Sequence, residues 1–296
     1  MQTAPPLAAV AGRTPHLDPA IRLSILIPAY NYPAGVDRIL KAVCPLPVGV
    51  EVIVMDDSAS SDVADTVGRF RDANLSYQRN VPAKGAVPNW NSLLDAARGT
   101  YVMLCHHDEL PLGNDFAARL VSALDRKAPD VLLLDLVLLD ASLSHPRRHV
   151  PRLYRDAILR YCPGYLFARN LIGPTATIVA RRDLYPRFDT RLKWMVDVDA
   201  YYRLRQRTKA WRTSRSLVIG SVQGGHRSIT QTLQKDLTQI EGVERSLLTA
   251  SHPEAAIWIN LSSKPVIGRG EVLFRALMHS IQWVIDCISP PKGPLA

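Results

Sequence analysis

Between Leu23 and Leu139, short apolar runs alternate with segments of helical periodicity. The apolar runs Leu23–Ile27, Val50–Met55, Leu75–Arg79, Tyr101–Cys105 and Val131–Leu139 read as strands. Val50–Met55 has the continuous apolar character of a strand covered on both faces. Helices are predicted at Val36–Val43, Asp62–Phe70, Pro88–Ala97 and Asn114–Leu124. Pro88 falls in a first turn, where its missing N–H costs little, and Gly99 punctuates the end of that segment. Strand and helix alternating in this way predict an α/β fold: a Rossmann-like, mostly parallel sheet with helices on both faces.

After Leu139 the pattern loosens. Helices are expected at Ile158–Arg169, Val198–Arg207, Gln231–Ser251 and Pro253–Leu261, and strands at Thr175–Ala180 and Leu217–Val222. Val266–Ile288 reads as an amphipathic helix with Arg269, Glu271, Arg275, His279 and Asp286 on its polar positions. Residues 1–21 are rich in Ala and Pro and read as a flexible leader. Residues 22–232 are expected to share one sheet, with halves at 22–140 and 141–232, followed by a helical extension over 233–296.

The composition, 47% hydrophobic and 21% charged, is that of a globular protein. The net charge of +9 is unevenly spread: Arg147 to Arg215 holds 17 Arg and Lys against 5 Asp, a local +12. Such a segment favours phosphates, polyanions or an anionic lipid surface, unless it is simply a solvated basic face. No RNP-like aromatic motif, zinc-finger spacing or basic heptad array points to nucleic acid. Cys44, Cys105, Cys162 and Cys287 lie far apart, so reduced thiols in a cytoplasmic protein are expected. Neither a secretory signal nor an apolar run of membrane-spanning length is read in the chain.

Candidate chemistry sits where strands stop. LSILIPAYN ends at Asn31, VEVIVMDDSAS carries Asp56 and Asp57, and YVMLCHHDE carries His106, His107, Asp108 and Glu109. Ligands of an open parallel sheet bind beyond the carboxyl ends of its strands, so three polar strand ends describe one site. Asp56 and Asp57 suit hydrogen bonds to a base or ribose; capping of the helix near Asp62 is the competing role. Asp108 and Glu109 suit a hard cation such as Mg²⁺ or Mn²⁺ bridging phosphate oxygens, with His106 or His107 as a further ligand. Asp197 and Asp199 open a predicted helix, where they would either stabilise its dipole or act as a general base. His226 and Arg227 lie in a glycine-flanked loop and could meet a diphosphate.

Taken in order, these segments resemble family 2 glycosyltransferases of the GT-A fold, over roughly Leu23 to Thr232. Pro28, Tyr30 and Asn31 stand in the family's opening motif, and VIVMDDSASSD is similar to its strand–Asp–Asp–Ser pattern. NVPAKGAVPNWNSLLDAARGTYVMLCHHDE leads to the metal motif, WMVDVDAYYRL is similar to the acceptor-side acidic motif, and HRSIT to a late His-x-x-Ser motif. His106 stands where the family's Asp-x-Asp motif has its first Asp.

The resemblance implies an inverting transferase using a nucleotide-diphosphate sugar, UDP- or dTDP-linked, and a divalent metal, Mg²⁺ or Mn²⁺. Pro28, Tyr30, Asn31, Asp56, Asp57, Lys84, Asn91, His106, His107 and Arg227 would line the donor site. Asp108, Glu109 and His226 would hold the metal. Asp197 would be the base, with Asp199 as the nearby alternative. The acceptor would be a glycan or lipid-linked glycan in surface polysaccharide synthesis, reached from the cytoplasm and from an anionic membrane surface. A sugar-1-phosphate nucleotidyltransferase would show a Gly-rich loop after the first strand, where PAYNYPAG stands instead. A catalytically inactive sugar-nucleotide or glycan binder is the remaining alternative, suggested by the altered Asp-x-Asp motif.

Overall fold

The computed structural model describes residues 21–144, 146–224, 233, 235–261, 277, 278, 281 and 282. The leader, His226, Arg227 and most of the expected helix at 266–288 lie outside the described residues. The first half runs β1 (Leu23–Ala29), α1 (Pro33–Val43), β2 (Val50–Asp56), α2 (Asp62–Val67), β3 (Leu75–Arg79), α3 (Ala86–Ala96), β4 (Tyr101–Leu104), β5 (Glu109–Leu112), α4 (Phe116–Lys127) and β6 (Val131–Leu139). It continues with β7 (Arg147–Arg148), α5 (Arg152–Tyr161), α6 (Tyr165–Ala168), β8 (Ile178–Arg181), α7 (Val196–Arg207), β9 (Trp211–Val222), α8 (Leu237–Ser251) and α9 (Ala256–Leu261).

One sheet joins all nine strands in the order β3-β2-β1-β4-β8-β6-β9-β5, with β7 on β6. The β3-β2-β1-β4 portion is parallel, as the alternating pattern predicts. Beyond it the sheet is mixed: β8 runs antiparallel to β4 and β6, β9 runs parallel to β6, and β5 runs antiparallel to β9.

Side chains alternate across a strand, so a buried strand feeds two cores. Leu23, Ile25 and Ile27 of β1 join α1 and α4 residues such as Ile39, Leu40, Phe116 and Leu120. Leu26 points to the opposite core, with Trp90 and Leu93 of α3 and Tyr201 and Leu204 of α7. Glu51 seals the amino ends of β1 and β2. It is 2% exposed and accepts hydrogen bonds from Ser24 Oγ (2.5 Å), Arg98 N (2.8 Å) and Arg98 Nε (2.8 Å). Gly99 is required beside it, because a Cβ there would lie 2.7 Å from Ser24 N.

Several boundaries differ from the sequence expectation. The helix expected over Ile158–Arg169 is two helices, α5 and α6, broken at Cys162-Pro163-Gly164, since a residue before proline resists the helical region. The strand expected from Thr175 begins at Ile178, after a 3-10 turn at Thr175–Thr177. β9 starts at Trp211 rather than Leu217, and a register irregularity against β6 near Leu133/Asp135 masks its period. β5 was not expected; four residues including Pro111 carry no clear alternation.

Candidate active site

β1 lies between β2 and β4, and the chain leaves it in one direction to β2 and β3 and later returns to pair β4 on the other side. That reversal of strand order opens a crevice at the carboxyl ends of β1, β2 and β4, which is where the three polar clusters fall. Pro28 is buried within β1 opposite Met55. Tyr30 follows it with 60% exposure, so its ring faces solvent. Asn31 adopts a left-handed conformation (φ 49°), one that asparagine tolerates well, and its N–H donates to Ser58 Oγ at 2.7 Å. The ends of β1 and β2 are thereby tied together.

The paired aspartates are not equivalent. Asp56 is fully buried. Its Oδ1 accepts from Ser58 N (2.9 Å) and Ser58 Oγ (2.5 Å), and its Oδ2 accepts from Tyr77 OH (2.8 Å). Asp57 accepts from Asn80 Nδ2 (2.7 Å), Lys84 N (3.1 Å) and Gly85 N (2.8 Å), folding the 80–85 loop against the strand end. Both carboxylates therefore shape the loops around the crevice, and neither caps α2, whose N-cap is Ser61 without a side-chain bond. Lys84 is exposed and donates Nζ to Ser92 Oγ at 3.0 Å. Asn91 is committed to Phe188: its Nδ2 donates to Phe188 O (2.9 Å) and its Oδ1 accepts from Phe188 N (2.8 Å). That buried pair leaves Asn91 bracing the loop before α7 rather than facing the crevice.

After β4 the chain turns through His106, His107 and Asp108 before β5 begins at Glu109. His106, Asp108 and Glu109 each offer a ligand atom, all within 4.8 Å of one another. Glu109 is 2% exposed. Its Oε2 accepts from His106 N (2.9 Å) and Ala176 N (3.1 Å), and its Oε1 lies 3.0 Å from His106 Nδ1. Burial works against a charged imidazole at His106, but the Glu109 carboxylate outweighs it and raises the His106 pKa. Burial in turn raises the Glu109 carboxyl, with His106 opposing. In the neutral tautomer with Nδ1–H directed at Glu109, the lone pair would lie on His106 Nε2, a buried atom with no hydrogen-bond partner among the described residues. Trp90 packs on the His106 ring at 4.7 Å between centroids, and Tyr32 meets the His107 ring edge-on at 5.5 Å. The first turn of α1 approaches this loop so closely that a Cβ on Gly35 would lie 2.0 Å from His107 O.

Asp197 and Asp199 sit at the start of α7 but part company. Two residues turn a helix by about 200°, so they lie on opposite faces. Asp199 is 3% exposed and saturated: His252 Nε2 lies 2.8 Å from Oδ1, and Arg203 Nε and Nη2 donate to Oδ2 at 2.9 and 2.6 Å. It fastens α7 to the end of α8, with both carboxylate oxygens engaged. Asp197 is partly exposed and interacts electrostatically with His106 and Glu109. Burial pushes its pKa up to about 6, against the N–H groups of Val198 and of Asp197 itself. It accepts from Val198 N and Asn170 Nδ2, each at 2.8 Å.

Tyr185, Asn170, Glu244 and His252 complete these surroundings, and none follows from a sequence pattern. Tyr185 is 9% exposed; its hydroxyl is buried without a partner among the described residues, and the negative charges of Glu109 and Asp197 add to burial in raising its pKa.

Residues 24–164 match the family described as Glycosyl transferase family 2. Uncharacterized protein MT1568 of Mycobacterium tuberculosis is 28% identical over 206 residues, 63% of this chain and 62% of that protein. The Escherichia coli enzyme WfaP, a UDP-Glc:alpha-D-GlcNAc-diphosphoundecaprenol beta-1,3-glucosyltransferase, is 28% identical over 88 residues, 29% of this chain and 35% of that enzyme. The chain thus spans less than two thirds of both relatives. Among solved structures, Staphylococcus aureus TarS 1–349 in complex with UDP-GlcNAc superposes with a TM-score of 0.61 at 16% identity, over 89% of this chain and 79% of that one. That likeness establishes the GT-A fold.

Proposed function

We propose that the chain, whose residues 24–164 match Glycosyl transferase family 2, is an inverting glycosyltransferase, moving a sugar from a UDP- or dTDP-sugar to a hydroxyl of a glycan or lipid-linked acceptor. The observation that carries this reading is Asp197: a partly exposed carboxylate with a pKa raised to about 6, close to the His106–Glu109 loop. A carboxylate tuned toward neutral pH suits removal of a proton from an acceptor hydroxyl. Attack by that hydroxyl in line with the departing diphosphate inverts the anomeric centre, with Tyr30 and the 80–85 loop presenting the donor's nucleoside. The names of TarS and WfaP, one bound to UDP-GlcNAc and the other using UDP-Glc with a diphosphoundecaprenol-linked acceptor, support a UDP-sugar and a lipid-linked glycan.

The donor set of the 106–109 loop fits a divalent cation. Asp108 and His106 Nε2 would hold it, with Glu109 orienting the imidazole as a carboxylate partner does in many metal sites. When bound, such an ion neutralises charge building on the departing diphosphate. A mixed nitrogen and oxygen set favours Mn²⁺ over Mg²⁺. We place the catalytic unit at residues 22–232 and the enzyme at the cytoplasmic face of a membrane.

Calorimetric titration with UDP, dTDP, GDP and CDP, with and without Mn²⁺ or Mg²⁺, tests the donor site. Metal-dependent binding of UDP or dTDP, lost in Asp108→Ala, is the expected result. Absence of nucleotide binding under every metal condition would sink the reading. Nucleotide binding without turnover of any donor would point instead to a non-catalytic sugar-nucleotide binder.

A further inference from the structure

The turn at residues 170–173 touches the base at one atom, and its side-chain chemistry is fully used. Asn170 Oδ1 accepts from Ile172 N (3.1 Å) and Gly173 N (2.8 Å), an Asx-type turn in which the side chain stands in for backbone. Asn170 Nδ2 donates to Gly173 O (3.1 Å) and to Asp197 Oδ2 (2.8 Å). The turn requires glycine at its end: Gly173 has φ 92°, and a Cβ there would meet Leu136 Cδ2. It is also docked on α7 at a second point, because Tyr201 OH donates to Gly173 O at 3.0 Å. Tyr201 follows Asp197 by one helical turn, so both lie on one face of α7.

We propose that Asn170 is the positioning residue of Asp197, fixing which carboxylate oxygen faces the acceptor hydroxyl and stabilising its charged form. This rests on the reading of Asp197 as the base. One oxygen is held by Val198 N and the other by Asn170 Nδ2, so the carboxylate plane is set by two donors on different elements. The other groups with an electrostatic influence on Asp197 are His106 and Glu109 from the loop after β4, Tyr185 from the segment after β8, and Tyr201 from α7 itself. Of these, the Glu109 carboxylate opposes ionisation of Asp197 and His106 favours it, while Tyr185 and Tyr201 stay uncharged where Asp197 titrates. Asn170 adds a neutral donor on the favourable side, without a charge that would compete with a bound diphosphate.

Asn170→Asp removes the donor to Asp197 together with the bond to Gly173 O, which Tyr201 OH still holds. It keeps the acceptor that builds the turn and replaces the donor with an oxygen facing Asp197. Asn170→Ser also permits a turn, through its hydroxyl, but is too short to reach Asp197. In protein labelled with ¹³C at aspartate Cγ, the Asp197 signal is identified by its loss in Asp197→Asn and titrated. The midpoint should rise by roughly one to three pH units in Asn170→Asp, as a neighbouring carboxylate requires, and by less in Asn170→Ser. Hydrolysis of UDP-glucose should fall about 10- to 100-fold in kcat with KM little changed. Midpoints equal to wild type in both variants would overturn the proposal. Shifted midpoints with unchanged turnover would leave Asn170 holding Asp197 but remove Asp197 as the base.

Discussion

At the scale of single residues, the base role proposed for Asp197 sets function and stability in opposition. Its folded pKa of about 6 lies above the ordinary aspartate value, so the folded state binds a proton that the unfolded chain has already released. Between about pH 4 and pH 6 the wild type therefore loses stability as pH rises, by about 2–3 kcal/mol at most. Asp197→Asn has no such titration, so its stability relative to wild type should climb over that window, as urea melts at pH 4, 5, 6 and 7 would read. The same variant should lower kcat by roughly 10²- to 10⁴-fold while nucleotide affinity stays put. Wild-type kcat/KM should rise through about pH 6 and then level off, since only the ionised carboxylate accepts the proton. A flat profile across that range would remove Asp197 from the chemistry. Asp199, two residues on, should respond differently: losing it would leave Arg203 and the buried His252 without their shared carboxylate, a structural injury rather than a kinetic one.

At the scale of elements, α7 is held by a segment distant in sequence. Glu244 of α8 accepts from Lys193 N (2.5 Å), Trp194 N (3.0 Å) and Met195 N (2.8 Å), so a carboxylate from the helical extension closes the amino end of the helix bearing Asp197. Helix amino ends carry unpaired N–H groups and partial positive charge, and one buried Glu meets both needs. Glu244→Ala should cost about 2–4 kcal/mol, seen as a lower urea midpoint with an unchanged slope. An unchanged midpoint would mean that water replaces the carboxylate without penalty. The first four parallel strands and their helices were legible in sequence because each buried strand or amphipathic helix repeats its own apolar period. Asp108 and His106 could be singled out because they follow such a run, and Asp197 because it opens a predicted helix. Glu244, His252 and Asn170 were not, since their links to α7 are hydrogen bonds across 27 to 53 residues that leave no period. Asp56 and Asn91 could be singled out, but not their partners: Tyr77 and Phe188 lie 21 and 97 residues further along.

At the scale of the whole molecule, the distribution of charge matters more than its sum. Much of the basic stretch from Arg147 to Arg215 is spent internally: Arg152 pairs with Asp135, Arg181 with Asp183, Arg187 with Asp95, Arg191 with Asp189 and Arg203 with Asp199. Arg207, Lys209, Arg212 and Arg215 are exposed, as are Arg126 and Lys127 at the end of α4. Lys127 donates to Thr213 O, and burial together with Arg126 and Arg212 lowers its pKa, which places Lys127, Arg126 and Arg212 in one field. This edge flanks the amino ends of β6 and β9. β6 runs parallel to β4 through the intervening antiparallel β8, so the edge lies at the end of the sheet opposite the crevice. Among the described residues no helix is long and apolar enough to cross a membrane. If the enzyme works on a membrane surface as proposed, this edge gives it an electrostatic hold, within a Debye length of about 10 Å at 0.1 M salt. Sedimentation with phosphatidylglycerol vesicles should then pull the protein down at low salt and release it at high salt. Arg212→Glu with Arg215→Glu should abolish the capture yet leave UDP affinity intact, because the crevice is at the other end of the sheet. Capture indifferent to salt and to both substitutions would assign the membrane contact to another surface, and loss of UDP affinity in the double variant would show that edge and crevice are coupled after all.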